Sequence, residues 1–472
     1  MPIERFAAIV GDMNALVETA DRAAHDEEQR GAYPGRSALV LRPGSVDEVS
    51  AILALASEAR VAIVPQGGNT GLVGASVARG DKSPGGPVNG DVVVSLSRLN
   101  RIRDVDPLGN TITAESGCVL AKVQEAAADA ERLFPLSLGS EGSAQMGGLI
   151  SSNAGGTGVL AYGNTRDLVL GIEAVRPDGS VWNGLSRLRK DNTGYDLKHL
   201  FIGSEGTLGI VTAAVLKLFP RPRGRVVAFA GLRSPDDALA LLDRTRERAG
   251  HQLTGFELIA RRPLAFAIEH FDHREPLDAT HEWYALIEIS SGRSEEDARE
   301  LMEGVLGSAL EDGMVQDAVL AGSLAQGREF WRLRENCSWA QRKEGGSIKH
   351  DISVPVHAVP EFIRRAEAVV ESVAPGARVV CFGHMGDGNL HYNVSQPIGA
   401  DRNDFLSRYE KMNDAVFALV IELGGSISAE HGIGQQKRER LPTVKSSVEM
   451  EMMRAVKRAL DPLGIMNPGK LL

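Results

Sequence analysis

The stretch GSEGSAQMGGLISSNAGG, residues 139–156, constrains this chain more than any other. It contains six glycines and one charged residue, Glu141. Solvated loops of that length usually carry charge, and long loops without regular structure are uncommon in compact domains unless they bind something. Two further glycine-rich breaks interrupt apolar runs: PQGGNTGLVG at 65–74 and IGSEGTLGIVT at 202–212. Each alone reads equally well as a tight turn. Glycine, however, bares backbone N–H groups, and bare N–H groups form concavities suited to a pyrophosphate. Three such segments in one region point to an extended ligand touched along its length. The spacing is not GxGxxG, so a nicotinamide-type fingerprint is unsupported.

Around these loops short β-rich runs alternate with helices. SVDEVSAILALASEAR begins with a capping box, Ser45 and Glu48, and continues as an amphipathic helix. VLGIEAVRPDGSVW reads as a hairpin turning at Asp178-Gly179. The style changes at PRPRGR, 220–225. From there DDALALLDRTRERA, FELIA, EWYALIEIS and EEDARELMEGVLGSAL alternate helix and strand. That pattern predicts an α+β arrangement with an antiparallel sheet covered on one face. Two long helices are predicted at roughly 402–423 and 446–460.

Composition excludes several classes. Lys and Arg total 52 against 62 Asp and Glu, a net charge of −10, which disfavours nucleic acid as a partner. Three cysteines at 118, 337 and 381 form no CxxC pair or disulfide framework, which fits a reducing compartment. The N-terminus has no basic region followed by an apolar run, so no signal peptide is expected. No run approaches the ~20 apolar residues of a transmembrane segment. A cytoplasmic location is expected, with peripheral membrane attachment left open; a homodimer is compatible with the sequence.

The chemistry-bearing residues cluster late in the chain. In CFGHMGDGNLHYNV, 381–394, the MGDGN turn could fold His384 back beside His391, and His391 and Asn393 would share a strand face. Imidazole is the commonest side-chain ligand for Zn²⁺ and similar ions, yet strand histidines are more often structural. GGSISAEHGIGQQK, 424–437, adds Glu430 and His431. Two histidines and one carboxylate would make a three-ligand site with positions open to substrate. The other reading is hydrogen bonding in the interior. Zn²⁺ suits this donor set best, with Mn²⁺ or Fe²⁺ as alternatives. In FWRLRENCSWAQRK, 330–343, Arg334 and Ser338 share a helix face, while Arg332 and Arg342 compete for any anion-binding role or form a solvated face. Lys349 lies in SIKHDISVP, read as one strand.

PQGGNTGL, MGGLISSNAGG, AYGNTRD, NTGYDLKHLFIGSEGTLGIVT and MNPGK together resemble the flavin-binding segments of the vanillyl-alcohol-oxidase-type FAD family, in its branch of 2-hydroxyacid dehydrogenases. The resemblance covers residues 35–472. It implies an α+β, two-subdomain FAD-binding domain at 36–220 after an N-terminal helical segment at 1–35. A substrate or cap domain at 221–425 and a C-terminal segment at 426–472 returning to the FAD domain would follow. Pro65, Gly67, Gly68, Asn69, Thr70, Gly71 and Leu72 would wrap the pyrophosphate. Ser140, Ser143, Gly147, Gly148, Asn153, Gly155, Gly156, Tyr162, Gly163, Glu205, Gly206, Gly209, Ile210 and Asn467 would line the cofactor. Relatives with covalent FAD often carry histidine in the first loop; here Asn69 follows Gly67-Gly68, so non-covalent FAD is expected. By the same likeness His384, His391 and Glu430 would be metal ligands and His431 the general base. Arg334, Ser338, Lys349 and Asn393 would contact substrate. The implied reaction oxidises a D-2-hydroxy acid to the 2-oxo acid and hands electrons to an electron-transfer flavoprotein or quinone. Arg334 plus Lys349 tilts the substrate toward D-2-hydroxyglutarate over D-lactate, D-malate or glycolate. A non-catalytic flavoprotein subunit is the rival; it would be expected to lack part of the His384, His391, Glu430 and His431 set.

Overall fold

The computed structural model describes every residue except Gln29 and 81–89. The chain divides into two compact units. One comprises Met1–Gly156, Gly163–Arg221 and Glu430–Leu472, the other Thr157–Tyr162 and Pro222–Ala429.

The first unit contains two larger sheets. Strands Ser37–Leu41, Asp91–Ser95 and Ile63–Gln66 run parallel in that order, with Ala15–Leu16 antiparallel beside Ser37–Leu41. Asp91–Ser95 is buried along its whole length, as a parallel strand covered on both faces must be. Pro65 cannot donate to a ladder, and it is accommodated because Ile63–Gln66 ends the sheet order. Helix Val46–Ala59 starts where expected: the Ser45 hydroxyl accepts the Glu48 N–H at 3.1 Å. Its reciprocal bond differs from a capping box, because the Glu48 carboxylate takes the N–H of Gly44 at 2.7 Å. The other sheet is antiparallel, in the order Ile102–Asp106, Thr111–Glu115, Ile210–Lys217, Val169–Val175, Val181–Gly184. Its last two strands form the hairpin predicted at Asp178-Gly179, closed by the Arg176 N–H on the Ser180 carbonyl at 2.9 Å.

The second unit is organised on an antiparallel sheet. The order is Asp317–Leu320, Gly224–Leu232, Trp283–Ser291, Leu253–Ala260, Arg378–His384, Asn389–Ser395 and Ser347–Ile348, with Asp351–Ser353 also on Asn389–Ser395. Ser234, Ser294 and Ser323 cap the helices Pro235–Ala249, Glu295–Glu311 and Leu324–Ala340, each accepting a backbone N–H of the first turn.

Two predicted elements are broken. SIKHDISVP is two short strands separated by Lys349-His350, because the His350 N–H turns to the Asn393 side chain at 3.2 Å. The helix predicted at 402–423 is split into Arg402–Leu406 and Tyr409–Glu422. Arg408, at φ −87° and ψ 4°, leaves the helical region, and the Ser407 hydroxyl bonds back to Asp404. The last helix, Ser447–Leu460, starts one residue from its predicted position, behind a Ser446–Glu449 capping box. Among the described residues, no helix is long and apolar enough to cross a membrane.

Candidate functional site

The glycine loops of the first unit converge on one cleft. The loop after Ile63–Gln66 crosses the 139–148 segment so closely that a Cβ on Gly68 would stand 2.0 Å from the Ser143 carbonyl oxygen. Only glycine fits that crossing. A Cβ on Gly71 or Gly148 would meet nothing within 4 Å, so these backbones border open space. The cleft's empty space is about 870 Å³ with its open mouth included. A large ligand recognised mostly by backbone, as FAD is, fits this lining.

Pro65, Gly67, Gly68, Asn69, Thr70, Gly71, Gly147, Gly148, Glu205, Gly206, Gly209 and Ile210 border the cleft, and His431 borders it too. Leu72, Ser140, Ser143, Asn153, Gly155, Gly156, Gly163 and Asn467 lie elsewhere in the same unit, and Tyr162 belongs to the second unit. Gln145, Ser151 and Ser152 line the cleft although sequence reasoning passed over them; they stood inside the glycine-serine stretch itself.

Several side chains expected at the cofactor have protein partners. Asn69 donates to the Glu27 carbonyl at 2.6 Å and accepts from the Ser76 hydroxyl at 2.8 Å. Asn467 donates to the carbonyls of Glu205 and Ala75 at 2.7 and 3.0 Å. The Glu205 carboxylate accepts the N–H groups of Ile433 and Gly434, which anchors the segment after His431. Burial pushes the Glu205 carboxyl up, opposed by those N–H donors and by the charges of Lys437 and Lys470.

In the second unit the MGDGN turn does bring two histidines together. Arg378–His384 and Asn389–Ser395 pair as a hairpin, and the rings of His384 and His391 lie 5.9 Å apart. Phe382 pairs with His391 in register, their rings 5.1 Å apart. Across the neighbouring strand His384 faces Glu257, whose Oε1 lies 2.6 Å from His384 Nδ1. Glu257 was missed in the sequence, where it is the lone charge in FELIA.

Helix Leu324–Ala340 buries Phe330, Leu333, Arg334, Cys337 and Ala340, a stripe at helical spacing. Arg334 is thus a cation within the apolar face, and a buried cation requires a partner. Its Nε donates to Glu257 Oε2 at 2.7 Å, and its guanidinium lies over the Phe382 ring at 4.9 Å. Burial alone would raise the Glu257 carboxyl; the Arg334 and His384 charges outweigh it and hold it at about 2. Arg332 and Arg342 are the solvated alternatives. The first is exposed and paired with Glu329 at 2.7 Å, and the second stacks on Trp339 at 4.4 Å.

Lys349 reaches the Ser338 carbonyl at 3.4 Å, one helical turn beyond Arg334. The Asn393 side-chain oxygen Oδ1 accepts from the His350 backbone N–H, and His350 Nδ1 lies 2.7 Å from the Tyr392 backbone carbonyl. Asp351 stands opposite His391 in register, and its carbonyl accepts the N–H of Ala429 at 3.3 Å. Glu430 is the next residue and opens the C-terminal part of the first unit.

The donor chemistry fits a divalent ion. A metal-ligating histidine usually gives its other ring N–H to a carboxylate, and His384 has that relation to Glu257.

Residues 221–471 match the family described as FAD linked oxidases, C-terminal domain, and residues 37–184 match the FAD binding domain. A protein named probable D-2-hydroxyglutarate dehydrogenase, mitochondrial, from Oryza sativa subsp. indica is 38% identical over all of this chain and 81% of its own length. A D-2-hydroxyglutarate dehydrogenase from Stutzerimonas stutzeri is 37% identical over 98% of both chains. The solved structure of p-cresol methylhydroxylase shares the fold, with a TM-score of 0.77, 18% identity and coverage of 99% of this chain and 96% of that one.

Proposed function

The chain belongs to the FAD-linked oxidases, in the branch of FAD-dependent D-2-hydroxyacid dehydrogenases, and on that footing we propose that it oxidises D-2-hydroxyglutarate to 2-oxoglutarate with the help of a divalent ion. The observation that supports the substrate choice is that two cations meet at one helix, one within it and one reaching it from the break between two short strands. Arg334 lies within that helix, and Lys349 reaches its Ser338 carbonyl. Two cations suit a dicarboxylate better than a small monocarboxylate.

In this reading His384, His391 and Glu430 hold the ion, and Zn²⁺ matches their donors best. Bound FAD supplies a two-electron acceptor, and the ion supplies Lewis acidity toward the substrate hydroxyl. Arg334 holds the C1 carboxylate in a charge-assisted contact, and Lys349 serves the distal carboxylate. Ser338 and Asn393 orient the substrate. His431 accepts the hydroxyl proton as general base, and loss of that proton with the C2 hydride leaves the 2-oxo acid. Two observations support His431 in this role: it borders the cleft that fits FAD, and Glu205 anchors the segment after it. Asn69 stands where covalent relatives carry histidine, so the flavin is held without a bond to the protein. The electrons leave to an electron-transfer flavoprotein or quinone.

The test is a dye-reduction screen of D- and L-2-hydroxy acids, with and without chelator. D-2-hydroxyglutarate should react fastest, L-acids should be inert, and chelation should abolish turnover while FAD stays bound. Faster turnover of D-lactate would overturn the substrate assignment. Full activity after complete metal removal would remove the ion from the reaction.

A further inference from the structure

We propose that Glu257 is a positioning residue that sets, through one carboxylate, both the ring tautomer of His384 and the plane of the Arg334 guanidinium. The inference rests on the reading of His384 as a metal ligand and adds a residue that the reaction scheme does not use.

Glu257 sits on a central strand, 1% exposed, paired in register with His384. Its two oxygens are divided between two partners: Oε1 with His384 Nδ1 at 2.6 Å and Oε2 with Arg334 Nε at 2.7 Å. An ionised carboxylate only accepts hydrogen bonds. His384 Nδ1 must therefore carry hydrogen, and in the neutral ring the lone pair belongs to Nε2. A metal ligand needs that tautomer. On the other side the bond to Nε fixes the guanidinium plane, assisted by the Phe382 face. Both partners come from elements distant in sequence, 127 and 77 residues away. One carboxylate thus ties a helix and a hairpin together at the two groups assigned to substrate and ion.

Glu257→Gln separates this role from simple filling of the site. The amide has the same shape but only one oxygen acceptor. Keeping the Arg334 bond turns its NH2 toward His384 Nδ1, which must then accept, and the ring proton moves to Nε2. The experiment titrates Zn²⁺ into flavin-loaded, metal-stripped protein by chelator competition. Expected is a loss of about 10–100-fold in Zn²⁺ affinity, a raised KM for D-2-hydroxyglutarate and unchanged FAD content. Equal Zn²⁺ affinity in wild type and variant would overturn the proposal while leaving the metal reading intact. Wild-type protein that binds no Zn²⁺ would overturn both. If the variant fails to fold, nitrogen NMR of histidine-labelled, metal-free wild type decides: hydrogen on His384 Nδ1 supports the proposal, and hydrogen on Nε2 alone overturns it.

Discussion

Glu205 and Ile433, separated by 228 residues, are joined by a 2.6 Å hydrogen bond from the Ile433 N–H to the Glu205 carboxylate, and Gly434 donates to its other oxygen at 2.7 Å. The carboxylate is an anchor for the segment beginning at His431. Glu205→Ala should leave two N–H groups without acceptor, at about 1–3 kcal/mol each. Thermal unfolding should register that loss, and turnover should fall further than FAD content. Wild-type turnover in the variant would show that the anchor does not serve the base.

Arg334 and its exposed neighbours should behave oppositely on substitution. Arg334→Lys keeps the charge but loses the fork that bonds Glu257 through Nε, so kcat/KM should fall by about 10²-fold or more, or at least ~2.7 kcal/mol. Arg332→Ala and Arg342→Ala should remain within about twofold of wild type, because both side chains lie on the solvated face. Steady-state kinetics on the three variants checks this ordering.

His431→Ala should lower turnover by about 10²-fold or more while the protein remains yellow. A rapid-mixing measurement of flavin reduction separates this from slow release of product.

Lys470 is 1% exposed, and its Nζ has no hydrogen-bond partner among the described residues. Burial lowers its pKa from 10.5 to about 8, against the pull of Asp91. The folded state therefore binds fewer protons than the unfolded chain between pH 8 and 10.5, and linkage makes this lysine's contribution to stability rise across that window. The rise should amount to about 3 kcal/mol at most. Urea unfolding of wild type and Lys470→Met across that range should show the increment in wild type only.

Gly388 closes the hairpin between the two histidines at φ +82°, and a Cβ there would stand 2.1 Å from the Val354 carbonyl oxygen. Gly388→Ala should cost about 1–3 kcal/mol and weaken Zn²⁺ binding by displacing His384 from His391. Calorimetry and metal titration on the same sample test both effects.

The hairpin was legible because its turn chemistry is local: Met-Gly-Asp-Gly-Asn between apolar runs permits little else. The glycine loops were legible for the same reason, although the sequence did not show that Gly68 packs on Ser143 whereas Gly71 borders open space. Arg334 could be nominated from its spacing to Ser338, and burial is what distinguishes it from Arg332 and Arg342. Glu257 escaped because its partners lie far along the chain; the available signal was a charge flanked by Phe256, Leu258 and Ile259 in the strand Leu253–Ala260. The break at Lys349-His350 was hidden because it depends on the Asn393 side chain, which competes for the His350 N–H.

The most direct test of the central claim is anaerobic mixing of the yellow, Zn²⁺-loaded protein with D-2-hydroxyglutarate while the visible flavin absorbance is followed. The account predicts full bleaching with the D-acid, none with the L-acid, and one 2-oxoglutarate formed per flavin. A flavin that stays oxidised with the D-acid would contradict it.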